Sequence, residues 1–142
     1  KESVVENAAK TGTEHVCRFL GRPMGPASAA DIRAKLGVVM AEYMGIARDE
    51  AGLLEAKRQV KQLEKLLEQA GAESLKECTE LYHCENMLLL ANIQIEASLL
   101  RKESRGVFYR NDYPQQDDTC WCKNIVVHNR KDGIELEVCD PC

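Results

Sequence analysis

Several features are missing from this sequence, and each absence removes a class of function. No uninterrupted apolar run approaches the roughly 18 residues that a membrane span needs. The longest, Met87 to Ala91, stops at Asn92, so direct membrane insertion is not expected. The first residues, Lys1-Glu2-Ser3-Val4-Val5-Glu6, hold no apolar core and no cleavage site, so a secretory leader is not expected there. There is no basic excess: 19 Lys and Arg face 23 Asp and Glu, for a formal net charge of −4. Such a chain has no electrostatic reason to seek nucleic acid. No phosphate-binding glycine loop appears, because Gly21 to Gly25 lacks the spacing and the strand–turn–helix setting. A metalloprotease helix motif and a serine elbow are also missing. Internal repeats and low-complexity tracts are absent.

What is present suits one globular domain. The 142 residues weigh 15.9 kDa, with 44% hydrophobic and 30% charged residues. A chain of this size buries roughly two thirds of its unfolded surface, enough for an independent core. The seven cysteines are an odd number. With no leader expected, they predict a cytoplasmic protein whose thiols are reduced or metal-bound, not a disulfide framework.

Hydrophobic spacing predicts a mainly α fold: an antiparallel three-helix bundle (spectrin-repeat-like) with a small C-terminal β-hairpin. The expected divisions are a lead-in helix and Gly/Pro loop at 1–26, the bundle at 27–105, and an extended loop with a Cys-flanked hairpin at 106–142. In the lead-in, Val5, Ala8, Ala9, Val16 and Phe19 are the apolar positions, and Gly12 interrupts them. Ser28 with Asp31 forms a capping box for the first bundle helix. Its apolar face is Ile32, Leu36, Val39, Met40, Tyr43 and Ile46. Gly37 and Gly45 there allow either a close backbone approach or simple tolerance. The second helix runs to Ala70 on Leu53, Leu54, Val60, Leu63, Leu66 and Leu67, with Gly71 as its stop. The third starts near Ser74 and reaches Arg101 on Leu75, Leu81, Leu88, Asn92, Ile95 and Leu99. Met87 to Leu90 is apolar around much of the circumference, which places this helix between the other two. Tyr113 to Asp118 reads as an extended loop. Ile125–Val127 and Ile134–Val138 read as strands, joined through Asp132-Gly133, a strong turn signal.

Two clusters carry chemistry. Cys120-Trp121-Cys122 and Cys139-Asp140-Pro141-Cys142 flank the hairpin with 16 residues between them. In a strand, Cys120 and Cys122 share a face, and the hairpin returns Cys139 and Cys142 beside them. Four thiolates could then hold one tetrahedral Zn²⁺ or iron ion. Free reduced thiols and a cross-hairpin disulfide are the other readings. Cys17, Cys78 and Cys84 read as small buried residues, and His83 as a half-buried helix residue and not a ligand. The second cluster is Arg101-Lys102-Glu103-Ser104-Arg105-Gly106 with Arg110 and Asp112. It fits a helix end whose basic residues suit the dipole and whose glycine ends it. Arginines there also suit a grip on a carboxylate of a neighbouring domain.

Glu103-Ser104-Arg105-Gly106-Val107-Phe108-Tyr109-Arg110-Asn111-Asp112-Tyr113-Pro114 resembles the signature of one family. This is the C-terminal helical domain of the succinate dehydrogenase and fumarate reductase flavoproteins, which include L-aspartate oxidase and adenylylsulfate reductase. Asp117-Asp118, Trp121, Lys123 and the Asp-Gly hairpin follow as in that family, and Ile32-Arg33, Met40 and Gly45 to Arg48 match its first long helix. Phe108 and Asn124 stand where the family usually has histidine, which favours an outlying anaerobic relative. The resemblance implies a domain that packs against absent FAD-binding and capping domains. It implies no catalytic and no flavin-binding residue of its own, FAD in the parent, and an iron–sulfur subunit as a further partner. It also assigns structural, interdomain roles to Glu103, Ser104, Arg105, Gly106, Arg110 and Asp112. Lys1 in place of methionine fits a cut within a longer chain. The alternative is a stand-alone helical interaction module with a metal-stapled tail.

Overall fold

The computed structural model describes residues 2–130 and 133–141. The elements are α1 (Glu2–Cys17), α2 (Ala29–Tyr43), β1 (Ala47–Arg48), α3 (Glu50–Glu68), α4 (Leu75–Leu100), β2 (Tyr109–Arg110), α5 (Asp118–Trp121), β3 (Asn124–Arg130) and β4 (Gly133–Cys139). The chain is mainly helical with one small β-hairpin. Its contacts fall into two units, Lys1–Gly37 with Lys61–Leu88, and Val38–Val60 with Leu89–Cys142.

In the first unit, α1 runs through Gly12 without a break. A mid-helix glycine costs up to about 1 kcal/mol against alanine but keeps the same backbone bonds. Val4 and Val5 are exposed, so the anchor here is Phe19, just past the helix end and 1% exposed. Its carbonyl accepts from Ala72 N at 3.0 Å, and Gly21 N donates to Ala72 O at 3.0 Å. These bonds bring backbone against backbone. A Cβ on Gly71 would lie 2.3 Å from the carbonyl oxygens of Arg22 and Pro23. Gly71 is therefore required by close approach, beyond its role in ending a helix. Gly37 has nothing within 4 Å, which settles it as a tolerated glycine.

The capping box of α2 forms as its sequence dictates. The Asp31 carboxylate accepts from Ser28 Oγ at 2.7 Å and from Ser28 N at 3.0 Å. Ser74 and Glu77 make a second one at the start of α4, where Glu77 Oε2 accepts from Glu73 N at 2.8 Å. Cys78, Leu81, Cys84 and Leu88 are buried along α4, and Cys84 Sγ donates to Ala29 O at 3.3 Å. Cys17 is only partly buried, short of the expected buried site. His83 is exposed, not half-buried: about 100° of helical rotation separates it from its neighbour Cys84.

In the second unit, α2 ends at Tyr43, before Ile46. Gly45 to Arg48 leaves the helix expected there, and Ile46 is 71% exposed. The reason is a distant partner. Ile46 O accepts from Tyr109 N at 3.2 Å and Arg48 O from Asn111 N at 2.7 Å, so β1 and β2 pair in parallel. Leu53, Ala56 and Val60 of α3 and Ala91, Ile95 and Ser98 of α4 are buried, whereas Leu54, Leu89 and Leu90 are exposed. The exposure of Leu89 and Leu90, with that of Met87 in the first unit, departs from the expected central placement of α4.

The hairpin is antiparallel, with Ile125 opposite Val138 and Val127 opposite Leu136. Both strands are longer than their apolar cores suggested. Gly133 has φ +125°, while Asp132 of the expected turn lies outside the described residues. The stretch before the hairpin is not fully extended. Asp117 caps the four-residue α5 by accepting from Thr119 N at 3.0 Å and Cys120 N at 2.9 Å.

Candidate functional site

The chain beyond α4 folds around one buried carboxylate. Glu103 has a side-chain exposure of 0%. It accepts from Arg101 Nη1 at 2.5 Å, from Arg105 Nε at 2.9 Å and Nη2 at 3.0 Å, and from Asp117 N at 3.0 Å. Burying an ionised carboxylate costs several kcal/mol, which only good geometry and full hydrogen bonding offset. Burial by itself raises the Glu103 pKa. The bonds from Arg105, Asp117 N and Arg101 outweigh it and hold the group below the usual glutamate range. Arg105 also reaches Asp118 at 2.7 Å, and these bonds push its guanidinium up.

A second pair stands beside it. Arg110 is 1% exposed. It grips Asp112 with both arms of its fork, Nε to Oδ1 at 2.7 Å and Nη2 to Oδ2 at 2.6 Å. Its third nitrogen donates to the carbonyl of Ser98 in α4. Asp112 Oδ2 also accepts from Glu50 N at 3.0 Å, the first residue of α3. A carboxylate there satisfies a free helix amide and suits the dipole. The Arg110 bond, opposed by burial and helped by Glu50 N, holds Asp112 at about 2. Ser104 Oγ accepts from Arg110 N at 2.9 Å and donates to Tyr113 O at 2.8 Å. Arg105 and Phe108 exchange backbone bonds at 2.8 and 3.0 Å. Gly106 sits inside that turn at φ +58°, a conformation that glycine adopts without strain.

All six motif residues, Glu103, Ser104, Arg105, Gly106, Arg110 and Asp112, therefore gather in one knot. Their ion pairs join residues of this chain to one another. Among the described residues no buried side-chain nitrogen or oxygen lacks a hydrogen bond. The knot closes α4 against the chain that follows it and fastens β2 to the start of α3.

A groove of about 480 Å³ opens at this knot. Arg48, Arg101 and Arg105 line it with Gln94, Phe108 and Ile125. The sequence pattern predicts a helix at Arg48 and a helix end at Arg101, and marks Phe108 only as a departure from the family pattern. The one local signal was the density of arginine near residue 105. The β1–β2 pairing that delivers Arg48 left no trace in the spacing.

The cysteine tail gathers less than expected. Cys120 belongs to α5 and is exposed, as is Cys122, while Cys139 is partly buried in β4 opposite Asn124. The shared face that a strand would give Cys120 and Cys122 is thus not formed. A hydrogen bond with Asp117 pushes the Cys120 thiol up from its ordinary value. Among the described residues no three His, Cys, Asp or Glu side chains are placed to hold an ion. Cys142 lies outside them.

Comparison with known proteins follows the same residues. Residues 33–140 match the family described as the fumarate reductase flavoprotein C-terminus. The chain is 32% identical over 137 residues to the fumarate reductase flavoprotein subunit of Mycobacterium tuberculosis, covering 92% of this chain and 24% of that protein. It is 31% identical over 107 residues to the chloroplastic L-aspartate oxidase 2-b of Nicotiana tabacum, covering 72% of this chain and 16% of that one. Its fold superposes on the quinol fumarate reductase of E. coli with a TM-score of 0.81 at 23% identity, covering 99% of this chain and 25% of the other. The chain spans about a quarter or less of the length of these proteins. No described helix is long and apolar enough to cross a membrane. On the match over residues 33–140, the chain belongs to the fumarate reductase flavoprotein C-terminal family.

Proposed function

We propose that this chain is the C-terminal helical domain of an FAD-dependent oxidoreductase of the fumarate reductase and succinate dehydrogenase type. Its task is to pack against the FAD-binding and capping domains of the same parent and to hold a rigid surface there. The parent carries the flavin and the catalytic groups and moves electrons between a small dicarboxylate-like substrate and an acceptor. An iron–sulfur subunit is its electron partner, on the cytoplasmic side of any membrane complex. This domain supplies no catalytic residue.

One observation carries the reading: the family signature is used inside the chain. Arg110 is buried with Asp112, and Arg101 and Arg105 close on Glu103. A motif of this kind builds a support and leaves no nucleophile or base free. Exposed apolar side chains support a docking role, with Ile46 at 71%, Leu90 at 58% and Val107 at 83%. A second groove of about 570 Å³ combines Ile93, Leu99, Leu100, Ile134 and Leu136 with the polar Asn92, Glu96 and Lys102, and adds to that surface.

Two measurements test it. An immunoblot of source cells against this chain should show a band several times heavier than 15.9 kDa. The purified chain should be colourless and take up no FAD. A native band at 15.9 kDa, or stoichiometric flavin on the chain alone, refutes the proposal.

A further inference from the structure

We infer that the arginine-lined groove is a carboxylate-binding site with Arg48 as its primary counter-charge. The inference begins with a charge imbalance. Three guanidinium groups line the groove and no acidic residue does. Arg101 and Arg105 are matched by Glu103 and Asp118 behind them. Arg48 is not matched. Nε donates to Gly45 O at 2.7 Å and Nη1 to Ser98 Oγ at 3.3 Å, both neutral acceptors. Among the described residues no carboxylate forms an ion pair with it. It is half-buried, and its Nη2 is left with donors for another group. Its guanidinium carbon lies 5.0 Å from the centre of the Phe108 ring, within cation–π range.

The neighbours define the ligand. A guanidinium whose Nη2 keeps its N–H donors can offer a paired fork to the two oxygens of a carboxylate. Gln94 is a polar residue of the groove lining, and Phe108 and Ile125 offer apolar surface to a short aliphatic body. The chemistry fits a carboxylate on two or three carbons. It comes either from a small dicarboxylate in solution or from an aspartate or glutamate side chain of the parent polypeptide.

The test is a titration of the chain with succinate at constant ionic strength, followed by NMR of the arginine Nε–H signals. Arg48 and the Phe108 ring should move and saturate in the millimolar range, while Arg58, paired with Glu55 on α3, stays still. Arg48→Gln should weaken the response at least tenfold. Arg48→Lys, which keeps charge but loses the fork, should fall between, and Arg58→Gln should change nothing. Equal movement of Arg48 and Arg58, or no saturable movement of Arg48 in the unsubstituted chain, overturns the inference without needing a folded variant. The source is then read in the longer flavoprotein, an arm that rests on the function proposed above. Succinate binding retained there assigns the site to a solution carboxylate. Arg48 already shifted and unresponsive assigns it to a side chain of the parent.

Discussion

Replacing Glu103 with glutamine removes one charge from the centre of the knot and leaves its shape. Two guanidinium groups then point at a neutral amide, and one amide N–H faces donors. Breaking a buried ion pair by removing one partner costs about 3–5 kcal/mol. Arg101 and Arg105 are 17% and 34% exposed, so water screens part of the loss. The expected cost is about 2–4 kcal/mol, a fall in melting temperature of roughly 6–15 °C for a chain of this size. Urea and thermal unfolding, followed by far-ultraviolet circular dichroism, measure it. A cycle with Arg105→Gln and the double variant isolates the coupling, expected between about 1 and 3 kcal/mol. A Glu103→Gln loss under about 0.5 kcal/mol, the level of a surface pair, would show that the carboxylate is not the organising centre.

Other consequences are equally specific. Arg110→Lys keeps the charge but loses the two-armed grip on Asp112 and the bond to Ser98 O. It should destabilise by about 2 kcal/mol or more in the same melts, and a neutral result would contradict the buried fork. The Asp112 pKa is depressed to about 2 from an ordinary 3.8 in the folded chain. Its contribution is therefore present above about pH 4 and lost as pH falls toward 2. Asp112→Asn should flatten that acid limb of a stability–pH curve, and an unchanged limb would place the acid sensitivity elsewhere. Gly71→Ala meets two carbonyl oxygens at 2.3 Å and should cost several kcal/mol, whereas Gly37→Ala, with open space around it, should gain about 0.5–1 kcal/mol. Reversed signs in the two melts would refute the close approach at Gly71.

The helices and their caps were legible in the sequence because their determinants are local. Ser28 and Asp31 lie three residues apart, as do Ser74 and Glu77, and a capping box needs nothing else. The hairpin was legible for a similar reason, since short β-rich runs flank a turn signal. The signature of residues 103–114 identified the family, but its chemical meaning was not readable. Arginines at a helix end suit the dipole, a neighbour's carboxylate or an internal one, and composition does not choose. In the structure an internal carboxylate is present for each, Glu103 for Arg105 and Asp112 for Arg110.

The departures from local sequence preference share a physical cause. Gly45 to Arg48 read as helix, because the pairing that makes it β1 comes from Tyr109 to Asn111 far along the chain. Cys120 and Cys122 read as strand neighbours, because the capping of α5 by Asp117 competes with extension there. His83 and Leu54 are exposed, because helical spacing alone does not locate the edge of a buried face.

By itself the sequence determined the helical class, the capped helix starts, the hairpin and the family. Each rests on contacts within a few residues or on a contiguous motif. Tertiary structure alone decided that Glu103 and Arg110 are buried, that Gly71 is wedged against a carbonyl pair, and that Arg48 faces a groove without an acid. Those facts depend on which distant backbone segments meet. Burial of a charge is a property of the surrounding chain and not of the residue that carries it.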